Sequence, residues 1–206
     1  MKNIGLFGGT FDPIHKGHLH IAQAFMQKVQ PDTLVFLPAG NPYHKNTPHV
    51  SASHRLAMLE IAIADEPKFA VSDLDIIREG ATYAIDTVHI FRQHYPHAQL
   101  WYLMGMDSLL QLHTWKNWTT LVKQVHIAVA TRPNQSFQKA PSQLHTWLGN
   151  ALHDGSLLIL DAHENPTSST QIRTDIQTGK IPHNMLPEKV AHYIQQHSLY
   201  NTKQDS

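Results

Sequence analysis

Short apolar runs set between amphipathic stretches are what most restrict the folds open to this chain. The runs are Ile4–Phe7, Thr33–Leu37, Phe69–Ser72, Leu100–Met104, Ile127–Ala130 and Leu157–Leu160. Each has the length and apolar character of a buried strand. Between them, residues 18–29 read as a helix with Leu19, Ala22, Phe25 and Val29 on one face. A second helix, capped by Ser51 or Ser53, runs to about Asp65 with Leu56, Leu59 and Ile63 inward. A third is expected over 85–94. Strands that alternate with helices imply βαβ units, and right-handed crossovers put helices on both faces of a mostly parallel sheet. The expected class is therefore α/β, doubly wound. From Ser168 the chain reads as two helices split near Pro182 to Pro187. The 206 residues suit one domain, 1–206, with a core over about 1–160 and a small C-terminal helical portion over about 168–200. Pro38–Pro48, Arg132–Pro141 and Glu164–Thr167 read as loops. Ligands of such sheets sit beyond the carboxyl ends of the strands, so the loops that follow strands carry the chemistry.

Composition narrows the function classes. Lys+Arg and Asp+Glu are equal at 16 each, which argues against a general nucleic-acid or anionic-membrane binder. The absence of cysteine rules out disulfides, thiolate metal sites and a cysteine nucleophile. No stretch approaches the ~20 apolar residues of a membrane helix, and Met1–Phe7 lacks the apolar core of a signal peptide. The expected compartment is the cytoplasm. Monomer and homodimer are both open.

The segment after the first strand is Gly8-Gly9-Thr10-Phe11-Asp12-Pro13-Ile14-His15-Lys16-Gly17-His18. Paired glycines let backbone approach a ligand, successive N–H groups form an anion-binding concavity, and the helix that follows adds its positive end. The His15/His18 spacing alone says little: with 17 histidines in the chain such a pair is expected by chance, and His94/His97 is another. The segment could equally be a tight strand-to-helix turn with histidines as polar surface. It lacks the Gly-Lys-Ser/Thr of a Walker loop and the Gly-x-Gly-x-x-Gly of a dinucleotide turn. Ser168 and Gln171 have capping-box spacing, while Ser169, Thr170 and Arg173 could instead cradle a polyphosphate. Asp107, after a strand, is either a ribose partner or a helix cap. His44-Lys45, Trp115/Trp118 and Arg132 are each ambiguous alone; aromatics three apart more often face a core.

Taken together these residues resemble the nicotinate-nucleotide adenylyltransferase family, along nearly the whole chain. The resemblance rests on Gly8 to Leu19, Asn41-Pro42 with His44-Lys45, Thr82-Tyr83 with Asp86-Thr87, Gly105-x-Asp107-Ser108, Trp115, Arg132-Pro133, Ser169-Thr170-x-Ile172-Arg173, and the ending Leu199-Tyr200. It implies a Rossmann-like fold and adenylyl transfer from ATP, carrying Mg2+, to nicotinate mononucleotide. It further implies that Gly8, Gly9, Thr10 and Phe11 line ATP, with Gly105 and Asp107 on its adenosine side. His15, His18, Lys45 and Arg173 would be the catalytic cations, and Ser169 and Thr170 would grip the triphosphate. Asn41, His44, Thr82, Tyr83, Trp115 and Arg132 would take the mononucleotide. The partners implied are small molecules, with no nucleic acid and no membrane. Two positions depart from the family pattern: Ala84 replaces a threonine beside the pyridine pocket, and Tyr43 replaces a second proline before His44. Amidated mononucleotide or phosphopantetheine as acceptor, and a non-catalytic nucleotide sensor, are the competing readings.

Overall fold

The computed structural model describes residues 1–40, 48–131, 137–161 and 167–201. In chain order the elements are β1 (Asn3–Gly9), α1 (Lys16–Val29), β2 (Thr33–Pro38), α2 (Ala52–Ile63), β3 (Phe69–Val71), α3 (Leu74–Ile77), α4 (Ala84–His94), β4 (Gln99–Gly105), α5 (Met106–Leu110), α6 (Trp118–Gln124), β5 (His126–Thr131), α7 (Ser142–Asp154), β6 (Leu157–Asp161), α8 (Ser169–Gln177) and α9 (Glu188–Gln196). The strands form one sheet in the order β3-β2-β1-β4-β5-β6, every adjacent pair parallel. This is the Rossmann order, and its direction of winding reverses between β1 and β4. All six expected strands are present, and the sheet is wholly parallel among the described residues.

Both faces of the sheet are covered. Ile4, Leu6, Leu100 and Val129 pack with Val88, Leu109, Leu121 and Leu144 from α4 to α7. Phe7, Phe36 and Leu103 pack on the other face with Phe25 of α1 and Leu59 of α2. Ile172 and Ile176 of α8 and Val190 and Ile194 of α9 join this second core, so the C-terminal helices lie against the sheet layer rather than apart from it. Ser51 caps α2 by accepting the N–H of His54 at 3.3 Å. Leu59 and Ile63 of α2 are buried as expected, whereas Leu56 is only partly so. Arg55 of that helix is as deeply buried as its apolar neighbours, at 1% exposure. It shares the stripe of Leu59 and Ile63 at helical spacing.

Candidate active site

The crevice opens where the winding reverses. Gly8 and Gly9 end β1, and Gly105 ends β4 and begins α5 as its N-cap. From Gly9 the chain turns through Phe11, whose φ is 49°, and a cis Asp12–Pro13 bond into α1. His15 is the N-cap of α1: it is buried, and its Nδ1 accepts the N–H of His18 at 3.3 Å. The two imidazoles stack with centroids 3.7 Å apart. Gly17 leaves room for this stack, since a Cβ there would sit 3.0 Å from the His15 ring and 3.3 Å from the Thr167 carbonyl. The other pair, His94 and His97, is exposed at the end of α4; spacing did not distinguish the two pairs.

The carbonyls of the turn are held by side chains from distant elements. Arg55 Nη1 donates to Thr10 O at 2.9 Å, and Arg173 Nη1 donates to Asp12 O at 2.7 Å. Ser169 Oγ donates to Pro13 O at 3.1 Å. The Asp12 carboxylate is buried and accepts from Tyr200 Oη at 2.9 Å and from the His49 N–H at 2.8 Å. Burial lowers the Arg55 guanidinium from its ordinary range, while Asp12 and Tyr200 act in the opposite direction. At the start of α8, Ser168 Oγ accepts the N–H of Gln171 at 3.2 Å, as a cap should. The box is not closed, because the Gln171 amide turns to Asp175 instead. Ser169 and Arg173 thus reach the glycine turn, with Arg173 Nη2 donating to Thr170 Oγ1 at 3.3 Å.

On the other side of the turn lies a cavity of about 620 Å³, a size suited to a mononucleotide-sized ligand. Gly8, Gly9 and Thr10 form one wall. Thr82, Tyr83 and Ala84 at the start of α4, with Asp107, Trp115 and Lys116, form the others. Trp115 is half-buried and meets Tyr102 edge to face at 5.9 Å, so part of the indole is left for a flat ligand. Lys116 Nζ lies 4.4 Å over the Tyr83 ring and 3.3 Å from Asp86 Oδ2. Asp75 also lines the cavity; its Oδ1 accepts from Thr87 Oγ1 at 2.6 Å and Arg78 Nη2 at 3.0 Å. Burial pushes the Asp75 carboxyl up, against the opposing pull of Thr87 and Arg78. α4 begins with no side-chain cap.

The expected residues thus fall into two adjoining groups. His15, His18, Ser169 and Arg173 gather at the glycine turn, with Thr170 beside Arg173; Thr82, Tyr83, Asp107 and Trp115 line the cavity, and Gly8, Gly9 and Thr10 join the two. Trp115 stands on the cavity wall rather than fully in the core that its spacing with Trp118 favoured. The cap of α5 is Gly105, so Asp107 is not the cap that its position allowed. Phe11 differs from expectation: its ring is buried at 2% exposure against Phe7, Phe36 and His18, so only its main chain can face a ligand. Asn41, His44, Lys45 and Arg132 lie outside the described residues. Arg55, Asp75, Tyr102 and Lys116 adjoin the turn or the cavity without having been expected there; Asp12 and Tyr200 lie in the quoted motifs but were given no role. Arg55 had a signal, an arginine in an apolar helical stripe; Asp75 and Tyr102 had none.

A model of the cytidylyltransferase-like family matches residues 6–175. A Neisseria meningitidis protein named "Probable nicotinate-nucleotide adenylyltransferase" is 57% identical over 97% of this chain and 99% of its own length. A Bordetella avium protein of the same name is 39% identical over 97% of this chain and 98% of its own. In fold, the chain is similar to Plasmodium falciparum nicotinic acid mononucleotide adenylyltransferase, solved in complex with NaAD. That match has a TM-score of 0.76 and 17% identity, and covers 97% of this chain and 98% of that one. With a GGTFDPIHKGH turn at the switch point of a parallel sheet, this chain belongs to the cytidylyltransferase-like family and, within it, to the nicotinate-nucleotide adenylyltransferases.

Proposed function

We propose that this enzyme transfers the adenylyl group of ATP to nicotinate mononucleotide, giving nicotinate adenine dinucleotide and pyrophosphate, a step of NAD biosynthesis. The observation that carries this reading is the adjacency just described. A donor-rich phosphate turn shares its glycines with a cavity holding an indole, a phenol and an uncapped helix start. The acceptor phosphate oxygen attacks the α-phosphorus, the bond from that phosphorus to the bridging oxygen breaks, and pyrophosphate leaves. The attacking oxygen is already ionised at neutral pH, so no strong base is required; catalysis is alignment and stabilisation of charge.

In this reading His15, His18, Arg173 and Lys45 supply the positive groups, and Gly8, Gly9, Thr10, Ser169 and Thr170 the donors to phosphate. Phe11 contributes its main chain. Gly105 and Asp107 take the adenosine side. Thr82, Tyr83 and Trp115 frame the pyridine ring, with Asn41, His44 and Arg132 nearby. The positive end of α4, whose N-cap Tyr83 makes no side-chain cap bond, suits the ring's carboxylate, which makes the missing hydroxyl at Ala84 tolerable. Magnesium is read as part of the ATP substrate. The ion would enter with ATP and would offset phosphate charge there, while the imidazole, hydroxyl and guanidinium groups of the turn and of α8 would donate to phosphate oxygens. We further read the chain as one functional unit acting in the cytoplasm on small molecules; no helix among the described residues is long and apolar enough to cross a membrane.

His18→Ala should lower turnover by roughly 10²–10³, the range for a lost transition-state donor. Pyrophosphate release at saturating ATP and nicotinate mononucleotide checks this; near-normal turnover would remove His18 from the assigned role. Release with phosphopantetheine but not with a pyridine mononucleotide would displace the acceptor, and no release with any acceptor would favour a nucleotide sensor.

A further inference from the structure

Tyr200, almost the last described residue, reaches back across 188 positions to the phosphate turn. Its backbone is left-handed, with φ at 64°, and its side chain is 7% exposed. The hydroxyl donates to Asp12 Oδ1 at 2.9 Å. Burial and the neighbouring Asp12 both keep that hydroxyl protonated, so it serves as a donor. The second carboxylate oxygen, Oδ2, takes the His49 N–H at 2.8 Å and faces His49 Nδ1 at 3.2 Å. Asp12, at 4% exposure, is therefore fixed at both oxygens, while its carbonyl holds Arg173 at 2.7 Å. A residue so placed transmits any displacement to the turn on one side and to the guanidinium on the other.

We propose that Tyr200 is a positioning residue for ATP: by fixing Asp12 it sets both the phosphate turn and Arg173 in the arrangement that receives the triphosphate. This rests on reading that turn as the ATP site. The competing role is a mere anchor for the C-terminal segment, and the fold supplies its own control. Tyr193, in α9 of the same C-terminal portion, has a hydroxyl bonded to His54 Nδ1 at 3.0 Å, and among the described residues that hydroxyl makes no hydrogen bond to the turn. Losing either hydroxyl removes one tertiary hydrogen bond of the C-terminal portion; only one of them touches the ATP side.

The test compares full-length wild type, Tyr200→Phe and Tyr193→Phe by calorimetric titration with MgATP, by thermal unfolding, and by steady-state kinetics with each substrate varied. Misplacement of a site group by about 1 Å can cost as much as 10²-fold. Tyr200→Phe should therefore weaken the Kd for MgATP by about tenfold and raise its KM alike, leaving the KM for nicotinate mononucleotide within about twofold. Tyr193→Phe should lower Tm and leave both substrates alone. Asp12→Asn enters the same network from its other end and should also weaken MgATP binding. Unchanged MgATP affinity in Tyr200→Phe would overturn the proposal whatever Asp12→Asn shows, as would equal losses for both substrates in Tyr200→Phe. Because the Kd is read without turnover, absence of activity in the wild type would defeat the reaction assignment separately.

Discussion

Arg55 and Asp75 are charged side chains placed where an apolar one would ordinarily sit, and each is held by its partners. An unpaired buried guanidinium is expensive; Arg55 offsets this with its bonds to Thr10 O and, more weakly, to Gly40 O at 3.5 Å. Those contacts bind α2 to both the phosphate turn and the chain leaving β2. Asp75 is held by Thr87 and Arg78 beneath the rim of the cavity. Because its folded-state carboxyl is raised above the ordinary value of 3.8, chiefly by burial, the folded protein keeps that proton longer than the unfolded chain. Its contribution to stability is therefore present at low pH and is lost as pH rises from about 4 through the raised value. The Asp75→Asn variant carries no such titration. The difference in unfolding free energy between wild type and variant should move against the wild type over that window; a difference independent of pH would contradict the assignment. Arg55 gave a sign in the apolar stripe of its helix, but its partner Thr10, 45 residues away, did not; Asp75 gave none, because its bond to Thr87 joins two separate helices.

At the level of elements, the strands and the longer helices were legible because each presents its period clearly: Ile4 to Phe7 as a continuous apolar run, Ala22 and Phe25 on one helical face. α5 and α6 were not, since five and seven residues are too few to display a helical period. α7 does carry the pattern, with Leu144, Leu148 and Ala151 buried. Gly149 and interspersed polar residues dilute it, and no strong start signal precedes Ser142. The close contact of β1 and β4 is also invisible in sequence, yet it explains Gly8. A Cβ at Gly8 would run into the Tyr102 hydroxyl on the neighbouring strand, with Tyr102 Cζ next at 3.1 Å. Gly8→Ala should lower Tm, and Tyr102→Phe, by removing the obstructing oxygen, should recover part of the loss. A coupling on the order of 1 kcal/mol is expected for residues in direct contact. Strict additivity in thermal unfolding of the two single variants and the double variant would show that the hydroxyl is not what excludes a side chain at position 8.

Across the whole molecule, the reversal of winding between β1 and β4 puts the glycine turn, the start of α5 and the start of α4 around one crevice. The C-terminal portion closes it on the side of the glycine turn, through Ser169 and Arg173 of α8 and Tyr200 beyond α9. The reaction type follows from motifs concentrated in short segments, which is why it could be read before the fold. The cavity is assembled from β1, β2, α3, α4, β4, α5 and the stretch around Trp115, so its shape exists only after folding. The acceptor's charge is consequently the point at which the account is most exposed. The most direct measurement compares kcat/KM for nicotinate and nicotinamide mononucleotides at matched concentrations with saturating MgATP, following pyrophosphate release. The acid should be clearly preferred, because the positive end of α4, which has no side-chain cap, favours a carboxylate over a neutral amide. Equal use of the two, or a preference for the amide, would contradict it.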